Sequence, residues 1–401
     1  MRLSQGLLYA MTAVMLWAVQ AAGADLDIAA SRVVDAGEGI RVEMALSAPV
    51  PYRAFLLDAP PRLVVDFTGL DLGQAQAEDM DQSGRVTSMR WGPIRAGWSR
   101  LVAELEGPYR MTSVEERSEG AAKVIIRLDP TTPQDFTLLT AKRIGDRGLW
   151  AMPRPAVVGT AKRRQTGDAP LIVVLDPGHG GIDPGAEAGG VSEASIVLEF
   201  ATELAAVLRG SGMKVVLTRQ ADVFVPLEAR ISIARAAGAD VFLSLHADAL
   251  AEGVAKGATV YTLSDKASDR ASALLAQRHD RSDLLAGVDL AGQDDMLASV
   301  MMDMSRIETQ PRSDRLAQAL ATSIGAAGIK MHRHPLQQAG FSVLKAPDVP
   351  SVLLEVGFLS SKSDRARLED PEWRKALQSA IFAALQDWAV ADAAEAKLIR
   401  Q

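Results

Sequence analysis

The sequence predicts an α/β domain with a mainly parallel sheet flanked by helices, preceded by a small all-β sandwich. Three observations predict this. A chain of 401 residues is too long for one ordinary compact core, so two domains are expected. Residues 25–130 carry short runs in which apolar and polar residues alternate, the period of strands with one buried face. From Ala169 onward, apolar runs of strand length alternate with segments of helical period, the pattern of a βα sheet.

Taken in order, residues 1–24 read as a signal peptide. Arg2 is the basic start, Leu7 to Val19 is apolar, and Ala22-Gly23-Ala24 is a small-residue cleavage site. A membrane anchor is the competing reading, but the stretch is shorter than the roughly 20 apolar residues a span needs. No later segment is long and apolar enough, so no membrane span is expected in the mature protein. Val42, Met44 and Leu46, then Leu101, Ala103 and Leu105, then Val124, Ile126 and Leu128 mark sandwich strands, as does Arg62–Phe67. Residues 131–169 lose this period. Ala141 to Gly167 holds seven Lys/Arg and one acid, which reads as a loose basic tether, with contact to an anionic wall polymer or lipid as the alternative. Residues 170–392 then supply expected strands at Leu171–Leu175, Lys214–Thr218, Asp240–Leu245, Thr259–Leu263, Phe341–Leu344 and Val352–Val356. Helices are expected after Ile196, at Leu227–Ala237 and at Pro371–Val390, and residues 393–401 form a tail.

Composition narrows the chemistry. The formal charge is −7, which argues against nucleic-acid binding. There is no cysteine, so an exported chain has no disulfide and any metal site must use histidine and carboxylate. In open α/β sheets ligands bind beyond the carboxyl ends of strands. His179 follows the first strand in "VLDPGHGGIDPGA", His246 follows "VFLSL", and Glu355 lies in "SVLLEVGF". Glu193 opens the first long helix, with Ser192 placed to cap it. Two histidines and one carboxylate make the three-ligand set of a catalytic zinc site, and Glu355 is placed to move protons. The glycines let the backbone bend sharply beneath His179. Asp176 or a backbone carbonyl is expected to hold the other nitrogen of the His179 ring, Asp248 is expected behind the ligands, and Asp183 reads as a turn former. His332 and His334 read as surface residues in a loop.

These residues resemble the zinc-dependent N-acetylmuramoyl-L-alanine amidases of the amidase-3 family, closest to the periplasmic cell-separation amidases. The resemblance rests on "VVLDPGHGGIDPGA", the glutamate following it, "VVLTRQADVFVPLEAR", "ADVFLSLHADA" and "AGFSVLKAPDVPSVLLEVGFLSS", and covers essentially all of 170–392. Residues 25–130 resemble, more weakly, the AMIN domain that localises such enzymes by binding wall material. The resemblance implies zinc held by His179, Glu193 and His246, with Glu355 as catalytic carboxylate. It implies cleavage of the amide between N-acetylmuramic acid and L-alanine in peptidoglycan, in the periplasm and at the division septum. Ala194 stands where the family often has lysine, Arg235 where it often has asparagine, and "GFLSS" replaces a more usual Ser-Asn ending.

Residues 271–310 resemble the regulatory segment that covers the site in cell-separation amidases until an activator of the degenerate LytM type displaces it. His279 or Asp280 is then a candidate to occupy the metal's open position at rest, against the plainer reading of two solvated helix residues. A zinc peptidase or deacetylase of the wall, or a non-catalytic wall-binding adaptor, remain the alternative functions.

Overall fold

The computed structural model describes residues 24–58, 60–72, 76–95, 97–117, 122–140, 164–249, 255–280 and 296–399. Nearly all of the expected signal peptide, most of the expected tether and residues 281–295 of the expected regulatory segment lie outside them.

The alternating runs of the first half form two antiparallel sheets. Strands β1 (Ala24–Ala36), β2 (Gly39–Leu46), β3 (Tyr52–Leu57), β4 (Arg62–Thr68), β5 (Leu70–Asp71), β6 (Val86–Arg95), β7 (Trp98–Leu105), β8 (Tyr109–Arg117) and β9 (Ala122–Pro130) follow in order. They assemble as β5-β1-β2-β9-β8 and β3-β4-β7-β6. Side chains alternate across a strand, so Val42 and Met44 meet Val65, Phe67, Leu101 and Ile126 in a core between the sheets. The outer face of the second sheet is apolar as well. Leu57, Val64, Ile94 and Val102 pack on Ile182 and Phe224 of the following domain. Burying each of those two side chains is worth about 1.5–3 kcal/mol. The backbone joins in, with Phe224 N–H donating to the Pro93 carbonyl at 3.4 Å. The two domains are therefore docked rather than merely tethered.

The span expected to be a tether begins with a short helix, α1 (Pro133–Thr140), which buries Phe136. The second domain is built on a six-stranded sheet. Its strands are β10 (Ile172–Pro177), β13 (Lys214–Leu217), β14 (Val241–His246), β15 (Ala258–Leu263), β16 (Met331–Ala339) and β17 (Ser351–Glu355), with a small ribbon of β11 (Glu187–Ala188) and β12 (Val191–Ser192). The order is β13-β10-β14-β17-β15-β16, parallel except where β15 meets β17. Helices α2 (Glu193–Gly210), α3 (Leu227–Ala236), α4 (Arg270–Asp280), α5 (Met296–Ala326), α6 (Lys362–Leu368) and α7 (Pro371–Ile399) cover it.

Both faces of this sheet are buried, which is why its central strands read as unbroken apolar runs. Val173 and Leu175 face a core with Phe200, Leu320 and Leu385 from α2, α5 and α7. Val174, Phe242 and Leu353 face the opposite core with Ala234, Leu275 and Phe341. Two expectations fail. Phe341–Leu344 is not a strand: Ser342–Leu344 forms a single 3-10 turn, because this short segment folds over the sheet face and buries Val343 and Leu344 there. β16 was unforeseen, since it holds His332, His334 and Pro335, polar or strand-breaking residues that only an edge position tolerates. The last helix also runs on to Ile399 through the expected tail, because Asp392 is clamped by Arg312 and Arg164.

Candidate metal centre

His246 ends β14 and Glu355 ends β17, and the two are direct partners across the parallel pair. Their side chains therefore leave the sheet on the same side, at its carboxyl edge. His179 comes from the loop after β10, where its φ is +57°, and no other described non-glycine residue has positive φ. Strain of that kind persists where the surroundings over-determine it. They do so here. Gly178, just before, has no room for a side chain, since a Cβ would lie 2.1 Å from the His246 ring. Gly185 closes the loop with the same constraint, its missing Cβ falling 2.7 Å from His179 and 2.8 Å from Glu193. These two close approaches, more than flexibility, are what the glycine-rich loop provides.

Glu193 opens α2, capped as expected by Ser192, whose Oγ accepts the Ser195 N–H at 3.3 Å. Its carboxylate accepts the backbone N–H groups of Ala186 and Ala247, both at 3.0 Å, tying helix, loop and strand together. Glu193 Oε1 lies 2.9 Å from His246 Nδ1, and Oε2 lies 3.3 Å from His179 Nε2. A fourth side chain enters from α4. The His279 ring stacks on His246 with centroids 4.1 Å apart, and one ligating atom from each of His179, Glu193, His246 and His279 lies within 4.8 Å of the others. All four residues are buried.

The donor set fits a divalent cation. Four fully buried groups converge, yet neither ring nitrogen of His279, nor Nε2 of His179, has a hydrogen-bond partner. Buried polar atoms left so cost free energy unless a ligand satisfies them. Three imidazoles and a carboxylate, with no thiolate, are a normal zinc set. The charges are tightly interlocked. Burial pushes the His179 imidazole down, but Asp183 and Glu193 outweigh it and hold it well above its usual value. Burial pushes Glu193 up, and His179 and His246 more than reverse it, leaving it well below the usual carboxylate range. Burial, then His279, pushes His246 down to about 4, so it is neutral and ready to donate a lone pair.

Glu355 behaves oppositely. Burial, then the charges of Glu193 and Asp248, raise it well above a normal glutamate. Its Oε2 accepts the Asp248 N–H at 3.0 Å, while Oε1 has no protein partner. One oxygen is thus fixed and the other is left for a water or a substrate.

Several expectations need correcting. Asp176 does not hold the His179 ring. It is buried among Arg230, Thr218 and Ser244, at 2.8, 2.6 and 2.8 Å, and braces the strand ends instead. Asp183 takes that role: its Oδ2 accepts from His179 Nδ1 at 2.7 Å, so it is more than a turn former. Asp248 lies behind the site as expected, with Oδ2 3.4 Å from His279 Nε2 and Oδ1 bound by Arg278. Asp280 stays outside the cluster and accepts the Ser342 N–H at 2.9 Å. His279, far from a solvated helix residue, is 3 % exposed. His332 and His334 lie on β16, not in a loop. Two arginines were overlooked. Arg219 donates to the carbonyls of Pro177, Gly178 and Ala194, and Arg230 to those of Pro177 and His179, so together they pin the metal loop from beneath. Burial, with Arg230 adding to it, lowers Arg219 to about 10. Their signal was available, since both stand in the apolar stretch "VVLTRQADVFVPLEAR".

Known proteins resemble this chain in sequence. Residues 173–387 match the family model described as N-acetylmuramoyl-L-alanine amidase, and residues 30–128 match the AMIN domain. The amidase AmiC of Escherichia coli O6:H1 is 31% identical over 373 residues, 90% of this chain and 88% of that protein. The amidase AmiA of Salmonella typhimurium is 38% identical over 222 residues, 55% of this chain and 76% of its own. A crystal structure of an N-acetylmuramoyl-L-alanine amidase from Clostridium difficile covers 55% of this chain and 97% of its own, at 22% identity and a TM-score of 0.41. Likeness that runs through both halves of the sequence decides between amidase and the other wall hydrolases or adaptors: this chain belongs to the peptidoglycan N-acetylmuramoyl-L-alanine amidases, with an AMIN domain ahead of its catalytic domain.

Proposed function

We propose that this amidase is an exported, zinc-dependent enzyme held at rest by its own α4. The division behind it is a signal peptide in 1–24, a wall-binding domain in 25–130, a tether in 131–169 and the catalytic domain in 170–392. The observation that carries the reading is the convergence of four buried donors beside one buried carboxylate whose proton affinity is raised by burial. His179, Glu193 and His246 hold the metal, and His279 closes the fourth position. When bound, zinc supplies a Lewis acid for the lactyl amide carbonyl and lowers the pKa of the attacking water. Glu355 does the proton work. Its unpartnered Oε1 takes a proton from that water and returns it to the departing L-alanine nitrogen. Asp183 keeps the His179 ring oriented by accepting from Nδ1.

His279 cannot stay where it is while a substrate carbonyl enters, so α4 must move. Its hold is partly ionic: Arg278 binds Asp248 at 2.6 Å and the Ala249 carbonyl at 2.6 Å. Displacement fits an activator of the degenerate LytM type, acting in the periplasm during cell separation. Digestion of purified sacculi tests the whole reading. Wild type should release stem peptides beginning with L-alanine slowly, a chelator should stop release, and His279→Ala should raise the basal rate about tenfold if the open state is otherwise about 10% populated. An unchanged basal rate in the variant would remove α4 as the restraint. Chelator-resistant release would remove the metal.

A further inference from the structure

We propose that the cleft between the two domains is a subsite for the uncharged glycan backbone of peptidoglycan, built jointly by the AMIN sheet and the metal loop. The cleft holds about 840 Å³. One wall comes from β6, β7 and the turns beside them, and the other from the loop that carries His179. It ends against the catalytic centre, since Gly185 lines it on one side and abuts the side chains of His179 and Glu193 on the other.

Two features select a sugar. Trp91 and Trp98, both half-buried, line the cleft, and indole rings offer large, rigid faces for the C–H surface of a pyranose. The charged lining side chains are predominantly acidic: Asp71, Glu78, Glu187 and Asp222 are exposed there against one cation, Arg90. A stem peptide carries carboxylates and is repelled by that wall, whereas the N-acetylated glycan is neutral. The same wall separates substrate from product. Hydrolysis adds water across the lactyl amide, breaking the C–N bond and leaving a carboxylate on the muramic acid and an amine on the alanine. The strand that was neutral in the cleft becomes anionic there and is expelled. The docking of Ile182 and Phe224 on the sheet keeps the two walls together.

The proposal takes the substrate from the amidase family but is tested without catalysis. The probe is chitohexaose, a neutral β-1,4 chain of N-acetylglucosamine that lacks the amide, titrated into the full chain and followed by tryptophan fluorescence and calorimetry. Gly69 and Gly97 line the cleft with φ of +74° and +73°, and a Cβ at either meets nothing within 4 Å. Asparagine tolerates that backbone best. The double variant G69N/G97N should therefore fill the cleft without disturbing the fold and weaken chitohexaose about tenfold. Trp98→Ala should do likewise. Peptide-free strands bearing lactyl carboxylates should bind more weakly than chitohexaose, with the gap narrowing as salt is raised. Equal affinity of G69N/G97N and wild type, or displacement of chitohexaose by free stem peptide, would overturn the proposal and leave the amidase reading untouched.

Discussion

At the scale of single residues, the site depends on groups that hold the ligands as much as on the ligands. Asp183→Asn keeps the shape but loses the carboxylate that orients His179. It should weaken zinc about 10–100-fold in competition with a chromophoric chelator. Glu355→Gln should retain zinc and lose about 10²–10⁴-fold in hydrolysis, measured on sacculi. The same substitution has a signature without metal. The Glu355 carboxyl is raised on folding, so its contribution to stability is complete below the unfolded value of about 4.3 and is lost as pH rises through the folded value. Metal-free wild type should therefore lose melting temperature on that alkaline side, and Glu355→Gln should lose less. His179, His246 and Glu355 were legible because they stand at or just past the ends of apolar runs, and Glu193 because it opens the first long helix. Asp183 was not, because an Asp-Pro-Gly stretch reads equally well as a turn, and only the fold brings its carboxylate onto the imidazole.

At the scale of elements, legibility followed burial. Strands β10, β14 and β17 were foreseen because both faces are covered and their sequences are continuously apolar. β16 was missed because an edge strand may be polar, and Phe341–Leu344 was misread because so short a largely apolar run cannot by itself distinguish a strand from a turn laid over a sheet. Helix α2 joins sequence to chemistry most plainly: its cap fixes the turn that presents Glu193. Ser192→Ala should cost about 1 kcal/mol in denaturant unfolding of the metal-loaded protein. The last helix is held by Asp392, which accepts from Arg312 at 2.9 Å and from Arg164 at 2.7 Å. Asp392→Ala removes the carboxylate from the largely buried Arg312 guanidinium, while Arg164 keeps Glu395, and should cost about 3 kcal/mol.

At the scale of the molecule, the sequence suggested two domains on a tether, and the structure joins them through a small apolar contact beside the metal loop. That contact was invisible in sequence, since the outer residues Val64 and Val102 each sit in a three-residue apolar run, Leu63–Val65 and Leu101–Ala103, that hides which face is covered. Its consequence is that the candidate metal site, helix α4 and the AMIN domain form one connected assembly, in which the loop bearing His179 touches all three. The proposed function depends on a single cation that side chains from β14, α2 and that loop would share. Anomalous diffraction at the zinc absorption edge, from crystals of the zinc-loaded full chain, tests this most directly. One strong peak bonded to His179, Glu193, His246 and the His279 ring is the expected result; a peak elsewhere, or none between these four residues at full zinc loading, would contradict it.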